Sequence, residues 1–399
     1  MKITKSIFGK EGKDIDKFNE LDLDERSIVF YSESSVILYP YVEEIIRELQ
    51  NRDQKICYLT SSKHDPILKN ESKNIKVFYI GDSEIEKMKF FLRLKAKVLI
   101  MTMPDLGSYH IKRSKIFPVH YIYTFHSMNS THMDGTNYVR TSLFRKSTLD
   151  QFDSIFCVGK YQVQEIRATE ELYNLNKKNL VECGYGLLDK LIRLRSSSTQ
   201  QNFLSQNNKK NVLIAPSWGK QNLLESVGIE LVKILLDAGY HVTVRPHPMT
   251  IRKWSKTIKA IENEFKSNAN FEIEKDVSTF ESLYSAYGLI SDWSGIAIEY
   301  AFACELPVLY IDGSPKINNS SYDKIACEAL EITIRNLIGK VISPNELESL
   351  PKIIESTYEN IDNFKTKIQE VRDKTVFNLG ESGMNGAQEI EKILHEKKN

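Results

Sequence analysis

Residues 288–312 read GLISDWSGIAIEYAFACELPVLYID, and their pattern decides the fold class. A short apolar run, Gly288–Ser291, leads into a polar turn of Asp292, Trp293, Ser294 and Gly295. A helix is expected from about Ile296, and Pro307 opens a second apolar run. Strand, polar turn, helix, strand is the parallel βαβ unit, whose ligands gather where a strand ends and the next helix begins. Ser294 and Gly295 set a hydroxyl and backbone N–H groups at a helix N-terminus. Such an end attracts anions, and the ligand expected there is the diphosphate of a nucleotide. Asp292 or Ser294 acting as an ordinary helix cap is the plainer reading, and the two are compatible. Glu299, further along the helix, is expected to face the same cleft.

Working outward, the same alternation recurs. β-rich runs stand at Ser27–Ser32, Lys55–Thr60, Lys76–Gly81, Lys97–Met103, His120–Phe125, Ser154–Gly159 and Leu180–Tyr185. Helical patterns lie between several of them, as at Tyr41–Asn51 and Tyr161–Tyr173. Near-continuous apolar strands alternating with amphipathic helices imply a parallel sheet covered on both faces. The segment 196–210, SSSTQQNFLSQNNKK, is polar and reads as a linker. The alternation then restarts with Asn211–Pro216, a helix at Leu223–Ala238 stopped by Gly239, and His241–Pro246. A charged helix at about 251–266, a strand at Phe271–Lys275 and a helix at Thr279–Ala286 follow. Beyond residue 312 a helical tail is expected from about Pro344, including Pro351–Asp373 and Gly386–Lys397. The expected architecture is α/β: two doubly wound domains, 1–195 and 211–399 (the second with the tail), facing a central cleft. Clefts between domains are preferred ligand sites.

Bulk properties narrow the partners. The chain has 399 residues, enough for two cores. Lys plus Arg (54) against Asp plus Glu (53) leaves a net charge of +1, so no nucleic-acid partner is expected. Five cysteines show no CxxC pair and read as buried thiols. No run of 18 apolar residues exists, and MKITKSIFGKEGKD has no apolar core, so a cytoplasmic location is expected. Lys87–Lys97 (KMKFFLRLKAK) has two readings. It meets anionic lipid peripherally, or it buries Phe91 and Leu94 with its lysines in solvent. The triplets Asp14–Asp16 and Asp22–Asp24 precede the first strand and read as a solvated charge run rather than a metal site. A metal requirement stays open.

Three clusters stand at expected strand ends. In the first, Tyr123-Thr124-Phe125-His126 runs into a polar loop, Ser127 to Asp134 and Gly135. His126 there is either a general base or a residue that bonds loop backbone. In the second, Val244-Arg245-Pro246-His247-Pro248, prolines fix the backbone and extended alternation puts Arg245 and His247 on one face. Such a pair suits a phosphate or developing negative charge, and the alternative is a structural turn with Arg245 in a salt bridge. The third is Ser291–Gly295 with Glu299. Pro216-Ser217-Trp218-Gly219-Lys220 is a further candidate for the same cleft through Ser217, or a plain loop. No P-loop, HExxH, GxSxG or zinc spacing is present, and Gly184-Tyr185-Gly186 lacks the third glycine of a dinucleotide fingerprint.

In this order the clusters resemble the CDP-glycerol glycerophosphotransferase family of teichoic acid and capsule synthesis, enzymes of GT-B-like fold. The resemblance rests on His126 with its loop, Arg-Pro-His-Pro at 245–248 and Ser-Asp-Trp-Ser at 291–294. Asp153–Gly159 leading to Glu165 adds to it, and the likeness spans roughly 121 to 312. It implies a CDP-activated polyol donor in the C-terminal half and a polymer or lipid-linked acceptor approaching from the N-terminal half. No cofactor beyond the donor is implied. His126 would match the family's catalytic base, His247 its second essential histidine, and Ser294 with Asp292 its pyrophosphate-binding turn. Two positions depart from the family: Ser127 stands where glycine is usual, and Gly295 where a second serine is common. The alternatives are a glycosyltransferase using a nucleotide sugar, a non-hydrolysing UDP-sugar 2-epimerase, and a non-catalytic scaffold.

Overall fold

The structure, a computed structural model, describes residues 10–34, 37–69, 74–104, 106–107, 109–133, 148–196, 210–219, 222–276, 279–319 and 321–396. Asp134, Gly135, Lys220 and residues 197–209 of the expected linker lie outside the described residues.

Seven strands build the first sheet: β1 (Ile28–Ser32), β2 (Ile56–Thr60), β3 (Ile75–Tyr79), β4 (Val98–Met101), β5 (His120–Thr124), β6 (Ser154–Cys157) and β7 (Asn179–Glu182). They run parallel in the order β3-β2-β1-β4-β5-β6-β7. The second sheet holds β8 (Asn211–Ile214), β9 (His241–Val244), β10 (Phe271–Ile273), β11 (Gly288–Ser291), β12 (Val308–Ile311) and β13 (Gly339–Ile342). Its parallel order is β10-β9-β8-β11-β12-β13. The inner strands β1, β4, β11 and β12 are buried at every residue, because helices cover both faces of each sheet. Cys57, Cys157, Cys183 and Cys304 are buried free thiols, and Cys327 is partly buried.

Several expectations on local structure are corrected. The polar N-terminal stretch contains a helix, Lys10–Glu20, anchored by Phe18, which packs edge-on against Phe78 and Phe90 at 5.6 and 5.4 Å. Each of three long expected helices is broken by one residue with non-helical dihedrals: Val227, Trp254 and Asn360. Strand β13 was hidden in a helix-like stretch. Its Gly339 lies so close to β12 that a Cβ would meet the Val308 carbonyl at 2.0 Å. In Lys87–Lys97, helix Glu84–Leu92 buries Phe90 and Phe91, and Leu94 beyond it is buried too. The apolar face is therefore occupied by the protein's own core. Contrary to expectation, Lys87 is buried with it, at 3% exposure. Among the described residues no helix is long and apolar enough to cross a membrane.

The tail is the main departure. Helix Ile361–Thr375 passes the second half, and then Phe377 N–H donates to Val158 O at 2.8 Å, bringing the chain back to the first sheet. The last helix, Ser382–Glu396, buries Ala387, Ile390, Ile393 and Leu394 in the cluster that holds Val42, Ile45 and Leu49. That stripe follows helical periodicity and finds its matching apolar face on helix Tyr39–Asn51. Burying each such aliphatic side chain contributes about 1.5–3 kcal/mol. The tail expected with residues 211–399 thus ends packed against the first sheet.

Candidate active site

The second sheet reverses its strand order between β8 and β11, the place where open α/β sheets form a crevice beyond their strand ends. Asp292 follows β11 and ties the two strand ends together. It accepts from Ser217 N–H at 2.6 Å, Ser217 Oγ at 3.1 Å and Leu223 N–H at 3.4 Å. Its carboxylate therefore fixes the β8 turn and does not cap the following helix. Ser294 occupies the N-cap position of helix Gly295–Cys304 but makes no side-chain cap bond, so its own helix does not use its hydroxyl. Beside these residues opens a cavity of about 600 Å³ lined by Ser217, Trp218, Asn222, Trp293, Lys316 and Pro344 among others. The Trp218 ring is faced by the ammonium groups of Lys316 at 4.6 Å and Lys253 at 5.3 Å.

Arg245 and His247 leave β9 as expected but do different work. Arg245 is 6% exposed and pairs with Glu274 at 2.7 Å, while also donating to Ser282 Oγ and the Thr279 carbonyl. The salt-bridge reading describes these bonds, and the expectation of a guanidinium shared with His247 on one phosphate-facing surface does not. His247 starts helix Pro248–Lys253, and its Nδ1 accepts the Met249 N–H at 3.1 Å. Burial, with added repulsion from Lys316 and His126, pushes its pKa down to about 3. The ring is thus neutral, and Nε2 carries the remaining proton as a donor.

His126 follows β5, and its Nδ1 lies 2.9 Å from Thr102 Oγ1 at the end of β4. Its ring meets the edge of Tyr41 at 6.1 Å, and Tyr41 stacks near Tyr185 at 6.3 Å. Tyr185 OH donates to Glu299 at 2.7 Å. This line of rings joins the first-half histidine to the second-half carboxylate. Burial raises the Glu299 pKa to about 7, against the opposing pull of Tyr185 and Arg245.

The loop after His126 is held from both sides. Tyr161 OH donates to Met128 O at 2.6 Å, and Glu165 accepts from Thr131 N–H and Oγ. From the second half, Glu331 accepts Ser130 N–H at 2.8 Å and Ser130 Oγ at 2.7 Å, and Asn319 Nδ2 donates to His132 O at 3.0 Å. Burial lifts the Glu331 pKa to about 7. His132 is enclosed in the same cluster. Burial opposes its protonation, but Glu165 and Glu331 outweigh that and raise its pKa. The two departures from the family pattern face each other here: a Cβ on Gly295 would stand 2.5 Å from Ser127 Oγ and 3.1 Å from Asn129 Oδ1.

The sequence did not reveal Thr102, Tyr41, Tyr185 or Glu331. Only Tyr185 carried a local signal, its flanking glycines, which permit close backbone contact. A Cβ at Gly184 would meet Phe377 O at 2.6 Å, and one at Gly186 would meet Tyr41 O at 2.5 Å. Among the described residues no group of three or more His, Cys, Asp or Glu side chains is placed to hold a metal ion.

Two parallel α/β sheets, each reversing its strand order once, with the chain's tail returning to the first, define a GT-B-like fold. The wall teichoic acid polymerase TagF shares it with a TM-score of 0.64 at 14% identity, over 98% of this chain and 95% of that one. A glycosyltransferase from Rickettsia africae matches with a TM-score of 0.55 at 13% identity, over 92% and 98%. The UDP-GlcNAc 2-epimerase of Methanocaldococcus jannaschii matches with a TM-score of 0.54 at 12% identity, over 92% and 99%. At such identities the likeness establishes the fold alone. No curated protein sequence matches the chain significantly. The chain belongs to the CDP-glycerol:poly(glycerophosphate) glycerophosphotransferase family, whose model matches residues 17–312.

Proposed function

We propose that this chain moves a polyol phosphate, glycerol phosphate first, from a CDP-activated donor to a hydroxyl of a polymer or lipid-linked acceptor in cell-surface polymer synthesis. Such an acceptor puts the reaction in the cytoplasm beside the membrane. The observation that carries the proposal is that the loop bearing His126 is held against the second half, by Glu331 on Ser130 and Asn319 on His132, so closely that a Cβ on Gly295 at the start of a helix would meet Ser127 Oγ at 2.5 Å. In this reading the nucleoside enters the 600 Å³ cavity, with Trp218 and Trp293 available for stacking. The diphosphate lies at Ser217, Ser294 and the Gly295 N–H, with His247 Nε2–H donating to it. With Nδ1–H donating to Thr102, His126 presents the Nε2 lone pair to the acceptor hydroxyl and takes its proton. The hydroxyl oxygen bonds to the β-phosphorus, the bond from that phosphorus to the bridging oxygen breaks, and CMP leaves. Glu299 and Arg245 shape the wall of the site.

A thermal-shift panel with CDP-glycerol, CDP-ribitol, CDP, CMP, UDP and a UDP-sugar tests the reading. A ligand at a hundred times its Kd stabilises the native state by about 2.7 kcal/mol. CDP-glycerol should stabilise the wild type and do so less in His247→Ala, while His126→Ala should keep donor binding and lose transfer. Preference for UDP would point to a nucleotide-sugar enzyme, and a flat panel would leave a scaffold.

A further inference from the structure

Each sheet reverses its strand order once, between β8 and β11 in the second and between β1 and β4 in the first. The second reversal point holds Ser217, Asp292 and the cavity. The first holds a set of side chains that the transfer chemistry above leaves unused. Glu33 directly follows β1 and is 4% exposed, Ser61 directly follows β2 and is 1% exposed, and Lys87 comes from helix Glu84–Leu92. His110 comes from the segment after β4, with its side chain 16% exposed.

The bonding within this set is lopsided. Glu33 Oε1 accepts from Lys87 Nζ at 2.8 Å and Ser61 Oγ at 2.7 Å, and Oε2 accepts from Tyr31 OH at 2.6 Å. His110 Nε2 lies 2.6 Å from Oε2. Burial opposes ionisation of Glu33, but these donors prevail and hold its pKa at about 2. An ionised carboxylate only accepts, so Nε2 carries a proton and Nδ1 is the remaining polar atom of the ring. That Nδ1 is buried and has no hydrogen-bond partner. An ion pair kept only for structure is complete without His110. The histidine adds one more donor to Glu33 and leaves its other nitrogen unsatisfied at the strand ends where the order reverses.

We infer that the reversal point of the first sheet is a second ligand site, where His110, oriented by Glu33, shares a hydrogen bond with a hydroxyl of the acceptor polyol. This rests on the transfer reading above. Charge separates the two sites. Lys87 and Glu33 cancel, leaving an unpartnered ring nitrogen suited to a hydroxyl, whereas Lys253 and Lys316 flank Trp218 at the donor cavity. Position agrees as well. Glu33 follows β1 and His126 follows β5, with β4 between them, so they stand about two strand spacings apart, roughly 10 Å. One histidine addresses the reacting hydroxyl and the other a hydroxyl further back on the acceptor.

The test titrates the full chain, labelled with 15N-histidine, with a synthetic glycerol phosphate trimer, beside a separate titration with CDP-glycerol. The His110 ring signals, assigned through His110→Gln, should shift saturably with the trimer. His110→Gln should bind it up to about tenfold more weakly, the worth of one neutral hydrogen bond, and keep its CDP-glycerol affinity. Urea unfolding of His110→Gln checks that the fold survives. Unmoved His110 signals, or equal trimer affinity in the variant, overturn the inference and leave the donor reading standing. Trimer binding at His110 without CDP-glycerol binding supports the site while the donor reading fails.

Discussion

Glu33 and Glu299 are both 4% exposed, one beside each sheet's cleft-facing end, yet their pKa values move in opposite directions. Glu33 meets the Lys87 ammonium and donors from Tyr31, Ser34, Ser61 and His110, and is held at about 2. Glu299 meets one phenol, feels Arg245 only through its charge, and is pushed up to about 7. Glu331 accepts two bonds from Ser130, has Glu165 rather than a cation nearby, and also stands at about 7. Of the three, Glu33 has both a contacting cation and the densest set of donors, and together they outweigh burial.

The largest effect should come from removing that cation. Lys87→Met leaves a carboxylate buried without its partner and should destabilise the protein by about 3–5 kcal/mol in urea unfolding. The double variant Lys87→Met/Glu33→Gln should recover much of the loss, since neither charge then remains. Equal losses in the single and double variants would break the comparison.

Glu299→Gln is the next test, and its sign follows from the raised pKa. Below the unfolded value of 4.5 the group is protonated in both states and costs nothing. Between 4.5 and about 7 the folded state binds the extra proton, so stability falls as pH rises, and the penalty is complete above about 7. At 1.36 kcal/mol per unit this group accounts for about 3 kcal/mol of that fall. Glu331 titrates over the same range, so the Gln variant should flatten the stability curve between pH 5 and 8 without levelling it. A curve as steep as the wild type's would mean that Glu299 is ionised throughout.

The two carboxylates also mark where sequence reading succeeds and where it stops. Parallel sheets were legible because inner strands such as Val98–Met101 must be apolar on both faces. The strand-end positions of His126 and His247 were legible because each follows such a strand, one running into a polar loop and the other set between prolines. The role of Arg245 was not, because it depends on Glu274, 29 residues away and brought near only by the pairing of β9 with β10. Glu33 and His110, 77 residues apart, share no local pattern. Lys87 looked like a solvent lysine on an amphipathic helix until the fold placed Glu33 against it. The return of the tail was hidden for the same reason: Ile390 and Ile393 advertise an apolar face but not the partner that covers it.

The smallest expected effect concerns the seam between the halves. Gly295→Ala brings two opposing terms. Replacing glycine at a helical position favours the folded state by about 0.4–1 kcal/mol through the unfolded chain. The new Cβ, 2.5 Å from Ser127 Oγ, forces that hydroxyl to turn away and costs a similar amount. The single variant should therefore stay within roughly 1 kcal/mol of the wild type. In a Ser127→Gly background the nearer crowding atom is gone and only Asn129 Oδ1 at 3.1 Å remains, so the same substitution should be better tolerated. The cycle of four proteins should then show a coupling energy of about 0.5–1 kcal/mol by urea unfolding. Such coupling would explain why this chain departs from its family at both positions together: the seam tolerates a side chain from one half or the other. Additive effects would mean that Ser127 and Gly295 do not press on each other, and that the loop carrying His126 stands clear of the helix end.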